Sequence, residues 1–381
     1  MIASPTSDRL SRAYHGRRVL VTGHTGFKGA WLCAWLLEMG AETTGYALEP
    51  PTQPSLFERI LLAKKIDHRI GDVRDASSVH ETVEDARPDI VVHMAAEALV
   101  RRSYESPADT FATNVMGTVH VLDAVRRVGR PCVVIVVTSD KCYEPNETLR
   151  PHREGDPLGG HDPYSASKGC AEIATTAYRR SFFPPEDFSD HGVALASVRA
   201  GNVIGGGDWA RDRILPDIVR AVLDDRPVRL RNPHASRPWQ HVLDALSGYL
   251  WLGARMLEEG ARGLADVWNF GPKPDAVVSV QTLTERVLEI WQRGRWEDLS
   301  QTNQPHEAPH LQLATEKAAR ELSWRPVFGI DEAIDATVEW YKRAESSTDM
   351  SGFTAEQIRG YMDHARAGGA IWATAHRIES R

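Results

Sequence analysis

Residues 18–29 read RVLVTGHTGFKG, a short β-rich run followed at once by a glycine turn of the form GxxGxxG. The helical segment Ala30 to Met39 comes next. Glycines permit a tight turn and let backbone amides approach a phosphate, and the positive end of the following helix faces the same point. The sequence therefore predicts the first strand and helix of a nucleotide-binding α/β domain, with Gly23, Gly26 and Gly29 in the turn.

Short apolar runs alternate with amphipathic helical segments through about the first 200 residues. This alternation is typical of βαβ units and predicts a doubly wound parallel sheet of the Rossmann type. The run Val133 to Val137 is unbroken and β-branched, which predicts a strand covered by helices on both faces. The predicted strands are Arg18 to Thr22, Thr43 to Leu48, Ile66 to Ile70, Asp89 to Met94, Cys132 to Thr138 and Val193 to Arg199.

The chain of 381 residues is longer than one ordinary hydrophobic core and predicts two lobes. Residues 16–200 are assigned to the Rossmann domain, to which the chain returns over residues 238–274. Residues 201–237 and 275–381 are assigned to a smaller, mostly helical lobe that binds the substrate. Between Glu144 and Asp162 the sequence is polar and rich in proline and glycine, which predicts a long loop that covers the site.

Composition and charge argue against several classes of function. The net charge of -7 disfavours a nucleic-acid or anionic-membrane partner, because both favour a basic surface. The four cysteines are scattered and lie beside no histidine cluster, so neither a metal site nor a disulfide framework is predicted. The N-terminal residues lack the apolar core of a signal peptide, and no run is long enough to span a membrane. We therefore expect a cytoplasmic enzyme that binds a small molecule.

The glycine turn, with Thr25 and Phe27 inside it, predicts a site for the pyrophosphate of NAD or NADP. Glu49 follows the second strand about 20 residues beyond the last glycine, where an acidic residue accepts hydrogen bonds from the ribose hydroxyls. No arginine occupies that turn to bind a 2′-phosphate, which favours NAD. The alternative for Glu49 is a solvated loop carboxylate. Asp72, after the third strand, either meets the adenine or caps the helix that begins near Ser77.

A second constellation follows the central strand. Ser139, Asp140 and Lys141 come directly after it, and Tyr164 and Lys168 form a YxxxK pair that begins 25 positions beyond Ser139. On a helix this i, i+4 spacing places both side chains on one face, where the cation would lower the pKa of the phenol toward neutrality. The tyrosinate would then take the proton from a sugar hydroxyl while hydride leaves for nicotinamide, with Ser139 holding the same oxygen.

Several motifs together resemble the extended short-chain dehydrogenase/reductase family, which includes NAD-dependent epimerases and dehydratases, over nearly the whole chain. They are GxxGxxG, HMAA at His93 to Ala96, NVMGT at Asn114 to Thr118, and YxxxK. More narrowly, VTGHTGFKG, GDVRD, TSDKCY, DPYSASKG, VRAGNVIGGGDWA, RPWQHVL and WNFGP resemble the 4,6-dehydratases of that family that act on CDP-glucose. The resemblance implies NAD as the cofactor, bordered also by Val73, Ala95, Ala96 and Asn114.

The same resemblance implies a three-step chemistry. Tyr164 removes the proton from the glucose 4-hydroxyl as hydride passes from C4 to NAD. Asp140 protonates the departing 6-hydroxyl while a base removes the C5 proton, and the hydride then returns to C6 to give CDP-4-dehydro-6-deoxyglucose. Lys141 stands where dehydratases for other nucleotide sugars carry a glutamate base. It serves as the base only if burial or Lys168 favours its neutral amine, and the alternative is an ion pair with Asp140 or Glu144.

The resemblance also assigns residues to the nucleotide-sugar end. Asn202 and Arg237 match substrate-binding residues of the family, and Arg213 is a companion for the two phosphates. The alternatives are a turn cap for Asn202 and a surface position for Arg213. Trp209 and Trp239 either stack on the cytosine and wall the pocket or belong to the core. Residues 306–310, HEAPH, offer no arginine where dTDP-glucose relatives carry a phosphate-binding one.

Helices over Ala108 to Val128 and Asp162 to Arg179 resemble those that form a four-helix dimer interface in the family, which implies a homodimer or a tetramer built from two dimers. Three alternatives to the dehydratase stay open. A UDP-sugar 4-epimerase uses the same tyrosine and lysine but needs no acid beside Ser139. A nucleotide-sugar reductase would prefer NADPH and release it. A non-catalytic NAD(H)-sensing regulator could dispense with Ser139, Tyr164 and Lys168.

Overall fold

The structure is a computed structural model, and it describes residues 8–145, 150–300 and 311–375. Its strands are β1 (Arg18–Thr22), β2 (Glu42–Ala47), β3 (Asp67–Ile70), β4 (Ile90–His93), β5 (Cys132–Val137), β6 (Val193–Ala200), β7 (Asn202–Ile204), β8 (Val228–Leu230), β9 (Ser236–His241), β10 (Val267–Phe270), β11 (Val277–Ser279) and β12 (Trp296–Asp298). Its helices are α1 (Arg9–Tyr14), α2 (Phe27–Glu38), α3 (Leu56–Arg59), α4 (Ala76–Ala86), α5 (Val100–Glu105), α6 (Pro107–Phe111), α7 (Gly117–Val128), α8 (Pro163–Ser181), α9 (Phe188–His191), α10 (Ile214–Leu223), α11 (Val242–Glu259), α12 (Val280–Trp291), α13 (Glu316–Glu321), α14 (Ile330–Ser346) and α15 (Ser351–Ala367).

Seven parallel strands form the main sheet, in the order β10-β6-β5-β4-β1-β2-β3. The strands predicted from the sequence all belong to it, and each ends within one residue of its predicted bounds. This confirms the doubly wound α/β fold. The strand order reverses between β1 and β4, so the carboxyl ends of these two strands open on a crevice where such sheets bind ligands.

The central strand β5 is buried along its whole length, because helices cover both faces of the sheet. Val133, Ile135 and Val137 pack in the core that contains the inward faces of α1, α2 and α11. Val134 and Val136 pack in the second core, against α4 and α7. A strand with two buried faces has no position for a solvent-facing polar residue, which explains the unbroken β-branched run in the sequence.

Two short sheets follow β6, of order β11-β9-β7 and β12-β8, and α10 and α12 pack beside them. Strand β10 joins the main sheet next to β6, where the sequence predicted a return to the Rossmann domain. The bounds assigned to the domains stay predictions, because the end of the chain contacts both parts.

The C-terminal helix α15 packs on α2, and the rings of Tyr361 and Trp35 lie 5.6 Å apart at this contact. The Asp244 carboxyl on α11 accepts hydrogen bonds from the Tyr361 hydroxyl at 2.8 Å and from the Val327 amide at 2.6 Å. Burial raises the pKa of Asp244 to about 6. The end of the chain is therefore fastened to helices that cover the main sheet.

The helix predicted over Ala108 to Val128 is interrupted. Helix α6 passes into a π-turn, Ala112–Met116, before α7 begins. A π-turn inserts one extra residue and so changes the direction of the side chains around it. Asn114, inside this turn, is 2% exposed, and the hydrogen bonds of its amide are described with the site below.

The cysteines are all free thiols. Cys33, Cys132 and Cys142 are buried and Cys170 is partly buried, so these side chains fill interior space. The residues that the structure describes include no group of three or more His, Cys, Asp or Glu side chains placed to hold a metal ion. No helix in the described part of the chain is both long and apolar enough to cross a membrane.

A buried ion pair between Arg199 on β6 and Glu172 on α8 lies near the carboxyl ends of the strands. The two side chains are 2% and 0% exposed, and two hydrogen bonds of 2.9 Å join them. Glu172 also accepts from the hydroxyls of Ser197 at 2.7 Å and Thr138 at 2.5 Å. Although burial opposes ionisation, the guanidinium holds the pKa of Glu172 below its usual range. The pair thus ties α8 to the ends of β5 and β6.

Arg199→Met removes the counterion of a carboxylate that stays buried. We expect the free energy of unfolding to fall by about 3–5 kcal/mol, measured by urea unfolding followed by circular dichroism. The control is Arg229→Met, which removes an exposed ion pair with Glu297 and should cost under about 1 kcal/mol. Equal losses in the two variants would contradict the structural role of the buried pair.

Candidate active site

The catalytic residues suggested by the sequence meet at the carboxyl edge of the main sheet. The glycine turn follows β1, Ser139 and Asp140 follow β5, and Asn202 follows β6. The carboxyl ends of parallel strands lie at one edge of a sheet, so residues far apart in the chain come together there. Helix α8 brings Tyr164 and Lys168 to the turn after β5.

The glycine turn forms a close-fitting cradle at the start of α2. A Cβ atom at Gly23 would lie 2.7 Å from the Ala95 amide nitrogen, and one at Gly29 would lie 2.2 Å from the Gly23 carbonyl oxygen. Gly26 is the N-cap of α2, and the Thr25 hydroxyl donates to the carbonyl oxygen that follows β2 at 2.8 Å. The first amides of an α-helix have no partner within it and can bind an anion. The cradle therefore fits the pyrophosphate of a dinucleotide.

The turn after β5 carries a buried serine and a buried aspartate. The Ser139 hydroxyl donates to the Asp140 carboxyl at 2.9 Å and accepts from the Lys141 amide at 3.2 Å. Burial raises the pKa of Asp140, although the charge of Lys141 and the Ser139 hydrogen bond oppose this effect. A raised pKa favours the protonated carboxyl, which is the form that can act as an acid.

Lys141 is exposed at the same turn. In the part of the chain that the structure describes, no ion pair joins it to Asp140 or Glu144, so the ion-pair alternative is not observed. Glu144 instead lies 3.7 Å from the imidazole of His161. Lys141 is therefore on the solvent side of the turn, open to a ligand.

Tyr164 and Lys168 lie one turn apart on α8, as their spacing predicted, and both are buried. Burial raises the pKa of Tyr164 to about 12, while the Ser139 hydrogen bond and the charge of Arg213 act in the opposite direction. The prediction that Lys168 lowers this pKa toward neutrality is wrong for this structure. The Lys168 ammonium donates to the Val137 carbonyl oxygen at 3.5 Å, and burial lowers its own pKa to about 8.

Sequence reasoning missed Lys28, which belongs to the same cluster. Its side chain starts in the first turn of α2, and the ammonium nitrogen lies 6.0 Å from the Tyr249 ring centroid. Burial lowers the pKa of Lys28 to about 8, and the charges of Arg213 and Lys168 add to this effect. In the sequence Lys28 occupies an unspecified position of the GxxGxxG motif. The one signal of a role is its charge, because a cation in the first turn of a helix is disfavoured by the helix dipole.

Asn114 joins the chain after β4 to α8. Its side-chain oxygen accepts from the Glu97 amide at 2.8 Å, and its side-chain nitrogen donates to the Glu97 carbonyl at 3.1 Å and to the Ser167 hydroxyl at 2.8 Å. The Ser167 hydroxyl in turn donates to the Tyr164 carbonyl oxygen at 2.7 Å. Both side-chain N–H groups of Asn114 are thus used within the protein, and its cofactor contact stays a prediction.

The residues predicted to border the adenosine end lie near the ends of β2, β3 and β4. Glu49 is exposed after β2, Val73 is buried after β3, and Ala95 and Ala96 are partly exposed after β4. Of these residues, Ala95 packs against the glycine cradle, because a Cβ added at Gly23 would lie 2.7 Å from its amide nitrogen.

Asp72 forms a 2.7 Å ion pair with Arg74. The N-cap of α4 is Asp75, whose carboxylate accepts from the amides of Ser77 at 3.0 Å and Ser78 at 3.2 Å. The alternative that Asp72 caps this helix is therefore wrong, because Asp75 stands directly before it. Asp72 is left beside the crevice with an arginine partner.

Arg213 and Asn202 lie in the lobe beyond β6. Arg213 is the N-cap of α10 and forms a 3.0 Å ion pair with Asp208, and its charge reaches Tyr164. Asn202 is the first residue of β7, which pairs with β9. Asn202 is partly exposed. The structure therefore places Arg213 where its charge favours ionisation of Tyr164, and its contact with a substrate phosphate stays a prediction.

Arg237 is partly buried on β9, and its guanidinium donates to the Ser236 carbonyl at 2.9 Å. Trp209 packs edge-on against Tyr341 with ring centroids 5.3 Å apart. Trp239 is 6% exposed and its indole N–H donates to the Val278 carbonyl at 3.2 Å, which favours the core alternative for this ring. The segment 306–310, where the sequence lacks the arginine of dTDP-glucose relatives, lies outside the described residues.

Comparison with known proteins places these features in a family. The model of the NAD dependent epimerase/dehydratase family matches residues 19–271. A CDP-glucose 4,6-dehydratase from Salmonella typhimurium is 48% identical over 349 residues, which cover 92% of this chain and 97% of that protein. A dTDP-glucose 4,6-dehydratase from Streptomyces antibioticus is 30% identical, over 85% of this chain and 92% of that protein.

Two solved structures share the fold. A dTDP-glucose 4,6-dehydratase from Streptomyces venezuelae, with NAD and TYD bound, superposes with a TM-score of 0.70 at 25% identity and covers 86% of this chain and 98% of that one. A UDP-glucose 4-epimerase from Thermus thermophilus in complex with NAD gives a TM-score of 0.72 at 25% identity, over 86% of this chain and 99% of that one. The chain belongs to the NAD dependent epimerase/dehydratase family.

Proposed function

We propose that this chain is a CDP-glucose 4,6-dehydratase, an NAD-dependent hydro-lyase that converts CDP-glucose to CDP-4-dehydro-6-deoxyglucose. The observation that carries the proposal is the buried Asp140 carboxyl beside Ser139 and Tyr164. A carboxyl in this place supplies the acid that water loss requires, in addition to the tyrosine that oxidation requires. The choice of the CDP-sugar rests on the 48% identity to the Salmonella enzyme.

The cradle and its surroundings are proposed to hold NAD. The cradle leaves no space for a side chain at Gly23 or Gly29, and the start of α2 offers free amides to a pyrophosphate. Bound NAD supplies hydride acceptance at C4 and hydride return at C6. The residues assigned to its binding are Gly23, Thr25, Gly26, Phe27 and Gly29 for the pyrophosphate, and Glu49, Asp72, Val73, Ala95 and Ala96 for the adenosine end, with Asn114 positioning α8.

Tyr164 and Ser139 handle the proton of the sugar 4-hydroxyl in this proposal. The Ser139 hydroxyl, which favours ionisation of Tyr164, can also hold the sugar oxygen and so direct the hydroxyl hydrogen toward the phenol oxygen. A buried phenol ionises only with positive charge nearby, and Arg213 supplies it at the same edge of the sheet. Lys168 lies one helical turn from Tyr164 and adds a buried ammonium to the site.

Asp140 and Lys141 act in the elimination. The Asp140 carboxyl donates its proton to the 6-hydroxyl oxygen, which leaves as water when the C6–O bond breaks. The electron pair that forms the C5–C6 double bond comes from the C5–H bond, which the adjacent 4-ketone acidifies. The C5 proton is proposed to pass to the amine of Lys141, which is exposed on the same turn, so a bound substrate and not burial in the resting protein must supply the condition that favours its neutral amine. This assignment agrees with the lack of an ion pair to Asp140 or Glu144 among the described residues.

The nucleotide and phosphates are assigned to the smaller lobe. Arg213 and Arg237 are the cations proposed for the two phosphates. Asn202, the first residue of β7, is proposed to bind the sugar or the proximal phosphate. Trp209 is partly exposed, and we assign the contact with the base to its ring. Trp239 is 6% exposed, so its stacking on the cytosine is not part of this proposal.

A UDP-sugar 4-epimerase is the second candidate, because a solved epimerase shares the fold as closely as a dehydratase does. An epimerase returns hydride to C4 and has no use for an acid aimed at a 6-hydroxyl, so the buried Asp140 favours dehydration. A non-catalytic NAD(H) sensor would not need Ser139, Tyr164 and Lys168 gathered at one edge of the sheet. The reaction products distinguish the dehydratase, the epimerase and the NAD(H) sensor.

The assembly is proposed to be a homodimer or a dimer of dimers in the cytoplasm. Apolar side chains on helices α5, α6 and α8, on the π-turn and at the C-cap of α8 are 37% to 65% exposed, and we assign these side chains to the protein interface. The four free thiols agree with a reducing compartment. The residues of the patch are Tyr104, Phe111, Met116, Ile173 and Phe182.

The substrate test uses purified protein with catalytic NAD and CDP-, dTDP-, UDP- and GDP-glucose, with products followed by mass. Loss of one water from CDP-glucose without net NADH is the expected result. Unchanged mass with a new 4-epimer would make the protein an epimerase, and no turnover of any sugar would favour the sensor.

Three variants separate the steps. Tyr164→Phe should lower C4 oxidation by at least about 100-fold, since the base is gone. Asp140→Asn and Lys141→Met should permit that oxidation and stall water loss, so that NADH absorbance rises in a single turnover and stays. Asp190→Asn, at an exposed aspartate, is the control and should turn over normally. Normal product from Asp140→Asn or Lys141→Met would remove that residue from the chemistry.

Gly29→Ala tests the cradle. The added Cβ would meet the Gly23 carbonyl at 2.2 Å, so the turn must shift and NAD binding should weaken by at least about tenfold, or about 1.4 kcal/mol. Calorimetric titration with NAD measures the change. The control is Gly352→Ala in α15, where a Cβ meets nothing within 4 Å. Equal affinities in the two variants would place NAD elsewhere.

Ile173→Glu tests the dimer. A carboxylate in the centre of a buried apolar interface is costly, so this variant should elute as a monomer at concentrations where the unmodified protein is a dimer. Light scattering coupled to gel filtration gives the mass. Leu223→Glu changes an apolar residue that is 41% exposed at the end of α10 and should leave the dimer intact. A dimer that survives Ile173→Glu would rule out this interface.

A further inference from the structure

His93, at the end of β4, is a buried histidine that the proposed mechanism does not use. It is 2% exposed, and its neighbour in the sheet is Thr22, the last residue of β1. Both residues lie at the carboxyl edge of the sheet, between the two strands where the strand order reverses. A polar ring at this point therefore lies beside the crevice proposed for the cofactor.

Hydrogen bonds on both sides of the ring fix its protonation. Nδ1 of His93 lies 2.8 Å from the Thr22 hydroxyl, and Nε2 lies 3.1 Å from the Thr118 hydroxyl in the first turn of α7. The Thr118 hydroxyl donates its one hydrogen to the Asn114 carbonyl oxygen at 2.7 Å, so it accepts from Nε2–H. Nδ1 then accepts from the Thr22 hydroxyl. Burial, with the charge of Lys168, lowers the pKa of His93 to about 3, which agrees with a neutral ring.

The Thr22 hydroxyl joins His93 to the segment that follows β4. Its oxygen accepts from the Met94 amide at 3.1 Å and from the Ala95 amide at 3.2 Å, which leaves its hydrogen for the imidazole. Ala95 packs against the glycine cradle, where a Cβ at Gly23 would lie 2.7 Å from the Ala95 amide nitrogen. One side of the imidazole therefore fixes the backbone that borders the proposed NAD site.

The Thr118 hydroxyl joins His93 to the π-turn and to α8. It bonds the backbone of Asn114, whose side-chain nitrogen donates to the Ser167 hydroxyl at 2.8 Å. The Ser167 hydroxyl donates to the Tyr164 carbonyl oxygen at 2.7 Å. The other side of the imidazole is therefore linked, through buried hydrogen bonds, to the helical turn that carries the proposed base.

We propose that His93 is a positioning residue for C4 oxidation, which holds the segment after β4 and the helix of Tyr164 in a fixed relation. This inference rests on the proposed dehydratase function and adds to it a residue that acts through other groups. In the oxidation the C4–H bond breaks as hydride and the O–H bond breaks as a proton, which leaves the 4-ketone. The acceptors of hydride and proton must therefore reach one C–OH group together, and a small displacement of either slows the step.

The role needs a side chain that bonds two hydroxyls at once. An apolar side chain would leave the Thr22 hydrogen without an acceptor and the Thr118 oxygen without its donor from this residue. A cationic ring would direct a further N–H at the Thr22 oxygen, which already accepts from two amides. Glutamine offers one acceptor and one donor side by side, as the neutral imidazole does, and is the conservative replacement.

The test compares His93→Leu, His93→Gln and Thr118→Val with the control Thr337→Val. Thr337 lies on α14 and is buried, and its hydroxyl donates to the Ala333 carbonyl oxygen at 2.7 Å. Thr118 makes the same bond, over the same four residues, to Asn114. The control therefore removes an equivalent hydroxyl from a helix outside the hydrogen-bond chain of His93.

Two kinds of measurement are made on each variant. Amide hydrogen exchange, followed by mass spectrometry without added ligands, reports on the peptides that cover residues 94–97 and 112–118. The rate constant of C4 oxidation is taken from the NADH absorbance transient in a single turnover of CDP-glucose. Calorimetric titration gives the affinity for NAD, and thermal unfolding reports the fold. A loss of folded protein alone lowers the amplitude of the transient and leaves its rate constant unchanged.

For His93→Leu and Thr118→Val we expect faster exchange in both peptides, because the hydrogen bonds that hold the two segments are lost. The rate constant of C4 oxidation should fall about tenfold at saturating NAD and sugar, since the two acceptors lose their alignment. The KM for CDP-glucose should stay within about twofold, because the residues proposed for its phosphates lie in the smaller lobe. His93→Gln should restore most of the rate constant and of the protection from exchange. Thr337→Val should match the unmodified protein in both.

Several results would overturn the proposal. Unchanged rate constants in His93→Leu and Thr118→Val would limit His93 to a structural role, and an equal slowing in Thr337→Val would assign the effect to a general loss of stability. Failure of His93→Gln to restore the rate constant would assign it to the packing of the ring. If His93→Leu does not fold, Thr118→Val and its control decide.

Failure of the unmodified protein to release water from any nucleotide sugar is a separate result, which refutes the dehydratase function itself. The exchange measurement needs no substrate and tests the link between the two segments even then. Unchanged exchange in either peptide of His93→Leu would refute that link.

Discussion

The buried ion pair between Arg199 and Glu172 is the constraint on which the site depends. It fixes α8 against the ends of β5 and β6, and it does so one residue from Ser139 and one helical turn from Lys168. The guanidinium also stacks 4.5 Å from the Tyr143 ring and donates to the Glu154 carbonyl oxygen at 3.2 Å. The Arg199 guanidinium therefore anchors the loop that begins after β5, and through Glu172 it also holds α8 against the turn that carries Ser139.

Around this anchor, the site places several cations about one acid. Lys28 lies on α2, Lys168 on α8 and Arg213 at the N-cap of α10. Burial and the charges of Arg213 and Lys168 lower the pKa of Lys28, and burial lowers the pKa of Lys168. Asp140 is a buried carboxyl in the same region, where burial raises its pKa and the charges of Lys141 and Lys28 act in the opposite direction. Desolvation, these charges and the hydrogen bonds of Ser139 together set the pKa values of Asp140 and Tyr164.

The sequence was sufficient for features that depend on local spacing. The strands, the glycine turn and the YxxxK pair follow from periodicity and from the geometry of one helix, and the structure reproduces them within one residue. It was insufficient where the outcome depends on contacts between distant segments. The raised pKa of Tyr164, the membership of Lys28 and the burial of Trp239 all arise from packing that no local pattern records. The sequence offered Asp72 as the cap of α4, but the cap is Asp75, three positions later in the same turn. The start of a helix cannot be predicted from sequence to that precision.

The position of β10 has a consequence for how the protein is made. This strand closes the main sheet beside β6, yet it is synthesised only after the first strands of the smaller lobe and all of α11. Until then a nascent chain on the ribosome exposes the unpaired edge of β6, whose residues are buried in the finished protein, and lacks the α11 cover for that face of the sheet. The Rossmann domain therefore cannot mature as an independent N-terminal unit during translation, and the intermediate offers an apolar strand edge to chaperones or to other nascent chains.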